Sequence, residues 1–288
     1  MADTIEKIGR SIVQHGPYNR RVYLMKLHDQ DAHRILPAID RLAHDNHYEK
    51  ILAKVPWGSK PAYEKQGYVQ EAVIPRYFKT REHAVFMCKY LSSRRRQITH
   101  QQRIKHILSL AKQKKQRPNK KKGAQFPDTR ICRPEDGVKM SRVFKSVFET
   151  YPFPIFDAEY LATVMKKKQA RYFCIENHRQ INAIAASEID PDHKGVEMTD
   201  FATLPEYRGQ GFAGCILEAM EQEMAGQGMI TAFSIARALS PGMNMLFARK
   251  GYTFGGTLLN NTNISGRIES MNVWHKPLKY SSDASSLN

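Results

Sequence analysis

PEYRGQGFAG, residues 205–214, sets three small residues, Gly209, Gly211 and Ala213, around one arginine. An extended run, VEMTDFATL (196–204), leads into it, and CILEAMEQEM (215–224) continues with helical character. Pro205 and Glu206 mark the turn, because proline cannot continue a paired strand. A helix start carries unpaired N–H groups and about half a positive charge. Glycines in the turn let an anion reach that backbone, which larger side chains would prevent. RGQGFA therefore reads either as an anion cradle, with Arg208 adding permanent charge, or as a plain turn. It is neither GxGxxG nor GxxxxGK[ST], so a dinucleotide or ATP loop is not its natural reading.

The surrounding pattern is mixed α/β. TRICRPED (129–136) reads as strand and turn, GVKMSRVFKSVFETY and DAEYLATVMKKK as helices. ARYFCIENH and QINAIAASEID read as a strand pair with Glu176–Gln180 as hairpin. After the strand at 196–204 and a helix at about 212–227 come the strand MITAFSIARA and a helix in SPGMNMLFARKGY. Ser240 is the N-cap of the latter and Pro241 lies in its first turn. Two last strands fall in TFGGTLLNNTNISG and IESMNVWHKPL. The N-terminal region carries an echo of this order, with AYEKQGY (62–68) aligning with LFARKGY (246–252). Read as a decayed half-copy, it would supply packing surface rather than chemistry, since it lacks a counterpart of RGQGFAG.

The chain of 288 residues, 41% hydrophobic, is long enough for one large domain or two ordinary ones. It has no apolar run near the roughly 18 residues a membrane span needs, and MADTIEKIGRSIVQHG lacks the apolar core of a secretion signal. Cys88, Cys132, Cys174 and Cys215 are too scattered for a CxxC site or a disulfide framework. A cytoplasmic setting is expected. Residues 92–127 hold twelve Lys and Arg and no Asp or Glu, leaving only +5 of the net +17 for the rest. Ile104, Ile107, Leu108 and Ala111 fall at helical spacing. KQKKQRPNKKKG beyond them reads as a solvated linker, with a polyanion-binding arm as the alternative. No aromatic residue is interleaved for base stacking, so nucleic acid is not the expected partner.

The order strand, PEYRGQGFAG, helix, strand, helix, GY, strand, strand resembles the GNAT superfamily of acetyl-CoA-dependent N-acetyltransferases. That signature, Arg or Gln, two residues, Gly, one residue, then Gly or Ala, is met by Arg208, Gly211 and Ala213. The resemblance covers about residues 129–278. It implies an α/β (α+β) fold with a mixed, mostly antiparallel sheet flanked by helices. A smaller α/β region, 1–91, would precede it as a degenerate half-copy, followed by a basic helix and linker (92–127), the acetyltransferase domain (128–280) and a tail (281–288). It further implies that Arg208, Gly209, Gln210, Gly211, Phe212 and Ala213 hold the pyrophosphate of acetyl-CoA. Phe201, Ala202 and Thr203 would lie along the pantetheine arm. A narrower likeness, to the β-lysine N6-acetyltransferases, rests on DTIEKIGRSIVQHGPYNRRVYLMKL, AKVP, MTDFATLPEYRGQG and NNTNISGRIESMNVWHK. It implies acetyl transfer to the side-chain amine of β-lysine, giving a compatible solute. A lysine 2,3-aminomutase would act upstream, and a homodimer is compatible with it. Another small amine (lysine or a polyamine) or a protein lysine remains the alternative acceptor.

An alkyl ammonium has a pKa near 10.4, and reaching the neutral nucleophile at pH 7 costs about 4.6 kcal/mol. A positioned base relieves this. Glu197, at the start of the strand leading to the loop, is the candidate base. Asp200, three residues on, would point to the opposite face of an ideal strand and could hold a second ammonium. Glu188 is a third carboxylate candidate. Both Glu197 and Asp200 also read as ordinary edge polar residues. Many relatives carry a tyrosine four residues before the closing glycine as general acid; here Phe247 precedes Gly251, and phenylalanine has no proton to give. Tyr252 or water would substitute, or no acid is needed. Arg237 is a candidate for an acceptor carboxylate. Asn260, Asn261 and Asn263 form an amide cluster that is also ordinary turn material. Trp274 and Met271 read as core. His44 and His47 lack a third ligand, so no metal is expected.

Overall fold

The computed structural model describes residues 3–78, 81–114 and 128–278. Residues 112–114 of the expected linker belong to a helix; the rest of it, from 115 on, and the tail 281–288 lie outside the described residues. Six strands open the chain: β1 (Thr4–Ile8), β2 (Ser11–Gly16), β3 (Arg21–Lys26), β4 (Lys50–Pro56), β5 (Val69–Phe78) and β6 (Glu82–Tyr90). Helix α1 (Ile35–Asp45) joins β3 to β4, and α2 (Lys60–Lys65) precedes β5. Short α3 (Ser93–Arg96) and α4 (Gln101–Lys114) follow. The remainder comprises β7 (Thr129–Ile131), α5 (Gly137–Val147), α6 (Ala158–Lys166), β8 (Ala170–Asn177), β9 (Gln180–Asp190), β10 (Gly195–Thr203), α7 (Phe212–Gly226), β11 (Thr231–Arg237), α8 (Pro241–Arg249), β12 (Thr253–Ile264) and β13 (Arg267–Pro277).

All thirteen strands form one sheet, ordered β1-β2-β3-β4-β6-β5-β12-β13-β11-β10-β9-β8-β7. The expected mixed, mostly antiparallel sheet is present. Its parallel pairs are β3 with β4 and β10 with β11, each joined by a crossover helix, α1 or α7, because parallel neighbours cannot be linked by a tight turn. Both halves trace the same path: a parallel pair, a short helix, then a hairpin whose second strand inserts beside the pair. The β8–β9 hairpin closes through His178 and Arg179, both at positive φ, as a two-residue turn requires.

The halves meet edge to edge at β5 and β12, where Gly256 pairs with Ala72. No side chain fits this seam: a Cβ on Gly255 would stand 2.4 Å from the Val73 carbonyl, and one on Gly256 2.1 Å from that of Glu71. Lys50, 0% exposed, donates to Glu71 at 3.0 Å and to the Leu259 carbonyl at 2.6 Å, tying β4 to β12. Arg95, counted above with the basic segment, is also internal. It donates to the carbonyls of Asn260 (2.6 Å) and Asn19 (2.8 Å) and pairs with Glu49. Helix α4 forms where its spacing predicts and buries Ile104, Ile107 and Ala111.

Four apolar clusters result. One packs under α1 and α2, one between the sheet and α7 and α8, and one against α5 and α6. The fourth joins the halves, with Tyr23, Leu52 and Tyr77 meeting Phe233, Met271 and Val273. The sheet thus curls until strands distant in sheet order face one another, and Lys26 on β3 reaches Asp190 on β9 at 3.3 Å. Among the described residues, no helix is long and apolar enough to cross a membrane.

Candidate functional site

Strands β10 and β11 are paired only from Gly195–Thr231 to Glu197–Phe233. Beyond that point they part, and the polypeptide of β10 runs on to the glycine loop. Gly209 and Gly211 lie at φ +78° and +87°, a left-handed conformation that side chains rarely adopt. A Cβ at Gly209 would project into open space. Gly211 is the N-cap of the fifteen-residue α7 and supplies no side-chain cap. Among the described residues, nothing accepts the main-chain N–H groups of residues 209–213. That bend fits the diphosphate expected from the sequence. Arg208 differs in detail: its N–H is engaged by the Pro205 carbonyl at 3.3 Å, and its Nε donates to the Thr203 carbonyl at 3.2 Å. The free amides therefore begin at Gly209. Phe201 lines the cleft and packs edge-on against Phe247, with ring centroids 5.7 Å apart. Thr203 is half-buried, and Ala202 is buried among the α5–α6 side chains.

Behind the cleft is a cavity of about 410 Å³. Glu188, Glu197 and Asp200 all line it. Glu188 and Glu197 are direct register partners on β9 and β10, which brings them to one face. Asp200 joins them against the expectation from strand alternation. A bulge between Thr199 and Ala202 breaks the register, and Asp200 takes φ +55°, rotating its side chain round to the cavity. There it accepts from Tyr151 at 2.6 Å and from Tyr172 at 3.4 Å.

Burial lifts the Glu197 carboxyl to about 7, with Lys54 opposing and Asp200 adding. Burial, then the charges of Glu197 and Asp200, hold Glu188 well above the usual carboxylate range. Asp200 rises to about 6 through burial, against the hydrogen bonds of Tyr151, Thr199 and Tyr172. The site thus offers a base poised near neutrality beside two further acids, a surface that favours cationic amines.

The remaining expected residues divide. Arg237 lines the cavity, but its guanidinium is gripped by Glu269 at 2.7 and 3.0 Å and by Ser265 at 2.9 Å. It is a structural pair rather than an open carboxylate receptor. Asn260 donates to the carbonyls of Arg95 (2.8 Å) and Gln97 (2.6 Å). Asn263 bridges Tyr18 and Thr150. Both lie within β12 beside a break in its register, so they brace an irregular strand and not the expected turn. Asn261 alone of the three lines the cavity, and its buried Oδ1 has no partner among the described residues. Phe247 stands at the cavity wall. Tyr252 does not: its side chain is fully buried in the α7–α8 core, beside Glu221, so it cannot replace a general acid at the cleft. Trp274 is core, donating to Asn244 at 3.0 Å. His44 and His47 are exposed, and among the described residues no group of His, Cys, Asp and Glu is arranged to hold a metal.

Sequence reasoning missed the N-terminal contribution. Tyr23, Lys26, Lys54 and Tyr77, from β3, β4 and β5, line the same cavity, so this region is more than packing surface. One signal was available: Lys54 is a lone charge inside the otherwise apolar ILAKVP of β4.

Residues 139–252 match the profile of the Acetyltransferase (GNAT) family. The chain is 35% identical over 274 residues to a β-lysine N(6)-acetyltransferase of Methanococcus maripaludis, covering 95% of this chain and 98% of that one. It is 33% identical to the N-acetyltransferase YodP of Bacillus subtilis, over 93% and 96% of the two chains. A β-lysine N(6)-acetyltransferase of Methanosarcina mazei is 29% identical, over 85% and 97%.

Proposed function

The chain belongs to the acetyltransferase (GNAT) family, and from that premise we propose that it transfers acetyl from acetyl-CoA to the N6 amine of β-lysine. When bound, acetyl-CoA supplies an acyl carbon activated as a thioester. The free N–H groups of residues 209–213 and the α7 dipole hold its diphosphate. Phe201, Ala202 and Thr203 flank the pantetheine arm where β10 and β11 part.

Glu197 receives the proton that the N6 ammonium must lose, directly or through one water. With a pKa of about 7 it is half-ionised at neutral pH. Glu188 and Asp200 hold the second ammonium, and the Asn261 Oδ1 accepts from an N–H of the acceptor. No side-chain acid stands at Phe247, and a thiol of pKa near 8.5 leaves as thiolate without one. Acetylation removes one positive charge from β-lysine and leaves a zwitterion, the charge state of a compatible solute. A lysine 2,3-aminomutase reaction is the class of step that would supply the acceptor.

One observation carries this reading: a single strand, β10, delivers both the acid-lined cavity and the anion-binding bend. The volume of the cavity falls within the range of small-molecule sites. A thiol-release assay with acetyl-CoA against β-lysine, α-lysine and spermidine tests it, with mass spectrometry locating the acetyl group. The highest kcat/KM is expected for β-lysine, with product acetylated at N6. Preference for spermidine, or acetyl on the β-amine, would overturn the assignment.

A further inference from the structure

We propose that Lys54, supplied by the N-terminal half, binds the carboxylate of the acceptor and so selects amino acids over simple diamines. The inference rests on the reading of the acceptor as an amino acid. Lys54 is 7% exposed and lines the cavity. Its Nζ lies 4.7 Å from the Tyr77 ring centroid and 5.1 Å from that of Phe233. Phe233 is in turn the β11 partner of Glu197.

Its single hydrogen bond, 3.2 Å, runs to the Tyr77 hydroxyl, which itself donates to Asp190 at 2.9 Å. Asp190 is already occupied by Lys26 (3.3 Å) and His193 (3.1 Å). Lys54 forms no ion pair among the described residues, and two of its three N–H groups are uncommitted. A buried ammonium without a hydrogen-bonded anion is costly, and burial lowers the Lys54 pKa; a carboxylate guest would relieve that cost.

Asp190 and Glu197 act on Lys54 through space without forming an ion pair with it, and the N-terminal wall carries a second buried cation. Arg21 on β3, 3% exposed, also lines the cavity with no carboxylate partner among the described residues. There it donates to the Asn261 carbonyl (2.7 Å), Thr262 Oγ1 (3.1 Å) and Gln14 Oε1 (3.1 Å). The opposite wall, on β9 and β10, carries Glu188, Glu197 and Asp200. The cavity is therefore bipolar, cationic on the N-terminal side and anionic on the other. A molecule that lays two ammonium groups along the acidic wall and turns a carboxylate to the other side matches it; a diamine would leave Lys54 without its anion.

The test compares kcat/KM of the full-length wild type and Lys54→Met for β-lysine and for pentane-1,4-diamine, which is β-lysine without its carboxyl group. Loss of a charge-assisted hydrogen bond is expected to lower the β-lysine value on the order of 10- to 100-fold. The diamine value is expected to rise, because a repelling charge has gone. A fall in the same proportion for both acceptors would overturn the proposal and leave Lys54 as a support for the acids. A wild type that prefers the diamine would overturn this proposal and the amino-acid reading together. Thermal melting and acetyl-CoA titration report whether the variant is folded. If Lys54→Met is not, Lys54→Gln, which can keep the Tyr77 contact, carries the same comparison.

Discussion

Glu188 and Glu197 stand directly opposite each other across the β9–β10 ladder, and neither forms an ion pair among the described residues. Like charges in that relation destabilise a sheet. Here burial, with Asp200 adding, places the Glu197 pKa near 7, and burial followed by the charges of Glu197 and Asp200 holds Glu188 higher still, so both retain protons. The arrangement disfavours the empty state and favours a cationic guest.

Replacing the base tests this most directly. Glu197→Gln keeps the shape of the site and removes the proton acceptor. Turnover at pH 7 should fall on the order of 100- to 10,000-fold. The wild-type rise of kcat/KM with pH through about 7 should disappear, because that limb reports ionisation of Glu197. Acetyl-CoA affinity measured by calorimetry should persist.

Stability should carry the same signature. The raised carboxyls keep protons in the folded chain that the unfolded chain has released, so their contribution is present at low pH and lost as pH rises. For Glu197 the window runs from about 4.5 to about 7, and for Asp200 from 3.8 to about 6. Calorimetry of the unliganded protein between pH 5 and 8 should show Glu188→Gln losing part of the wild-type decline in melting temperature. Parallel curves would mean that the three acids do not titrate as buried neighbours.

The bend before α7 predicts a different separation. Gly211→Trp places a side chain where the backbone is at φ +87°. The strain alone is about 1–2 kcal/mol, a modest loss in thermal stability. Loss of acetyl-CoA binding should be much larger, at least on the order of 100-fold, because the approach to the N–H groups is closed. Undiminished affinity in a folded variant would remove the loop from the binding site.

Lys50 and Glu71 test the joint between the halves. Lys50→Met strands a buried carboxylate and should destabilise by about 3–5 kcal/mol in denaturant titrations. Lys50→Met combined with Glu71→Leu should recover most of that, since no unpaired charge remains. A double variant no better than the single one would show that the Lys50 contact with the Leu259 carbonyl dominates instead.

What could be read from the sequence was local. The Gly209–Gly211 bend, the Pro241 helix start and the strand order around them follow from turn chemistry and periodicity, and they appear as expected. Asp200 was assigned to the wrong face because period-two alternation contains no term for a bulge, and nothing nearby in sequence announces one. Arg237 looked free because its partner, Glu269, is thirty-two residues away on β13. The role of Lys54 was hidden for the same reason: its surroundings are built from β3, β5 and β11, which only the curled sheet brings together. A sequence discloses the groups that bind through their own backbone sooner than those that act across a fold.

The close contact at Gly255 and Gly256 has a consequence for how such an enzyme could change. The bend proposed to bind coenzyme A lies on one bank of that joint and Lys54, the proposed receptor of the acceptor carboxylate, on the other, with clearances smaller than a methyl group between them. A substitution there, remote from every reacting atom, would tilt one bank against the other. Discrimination among amines would drift first, while possession of the acyl donor endured.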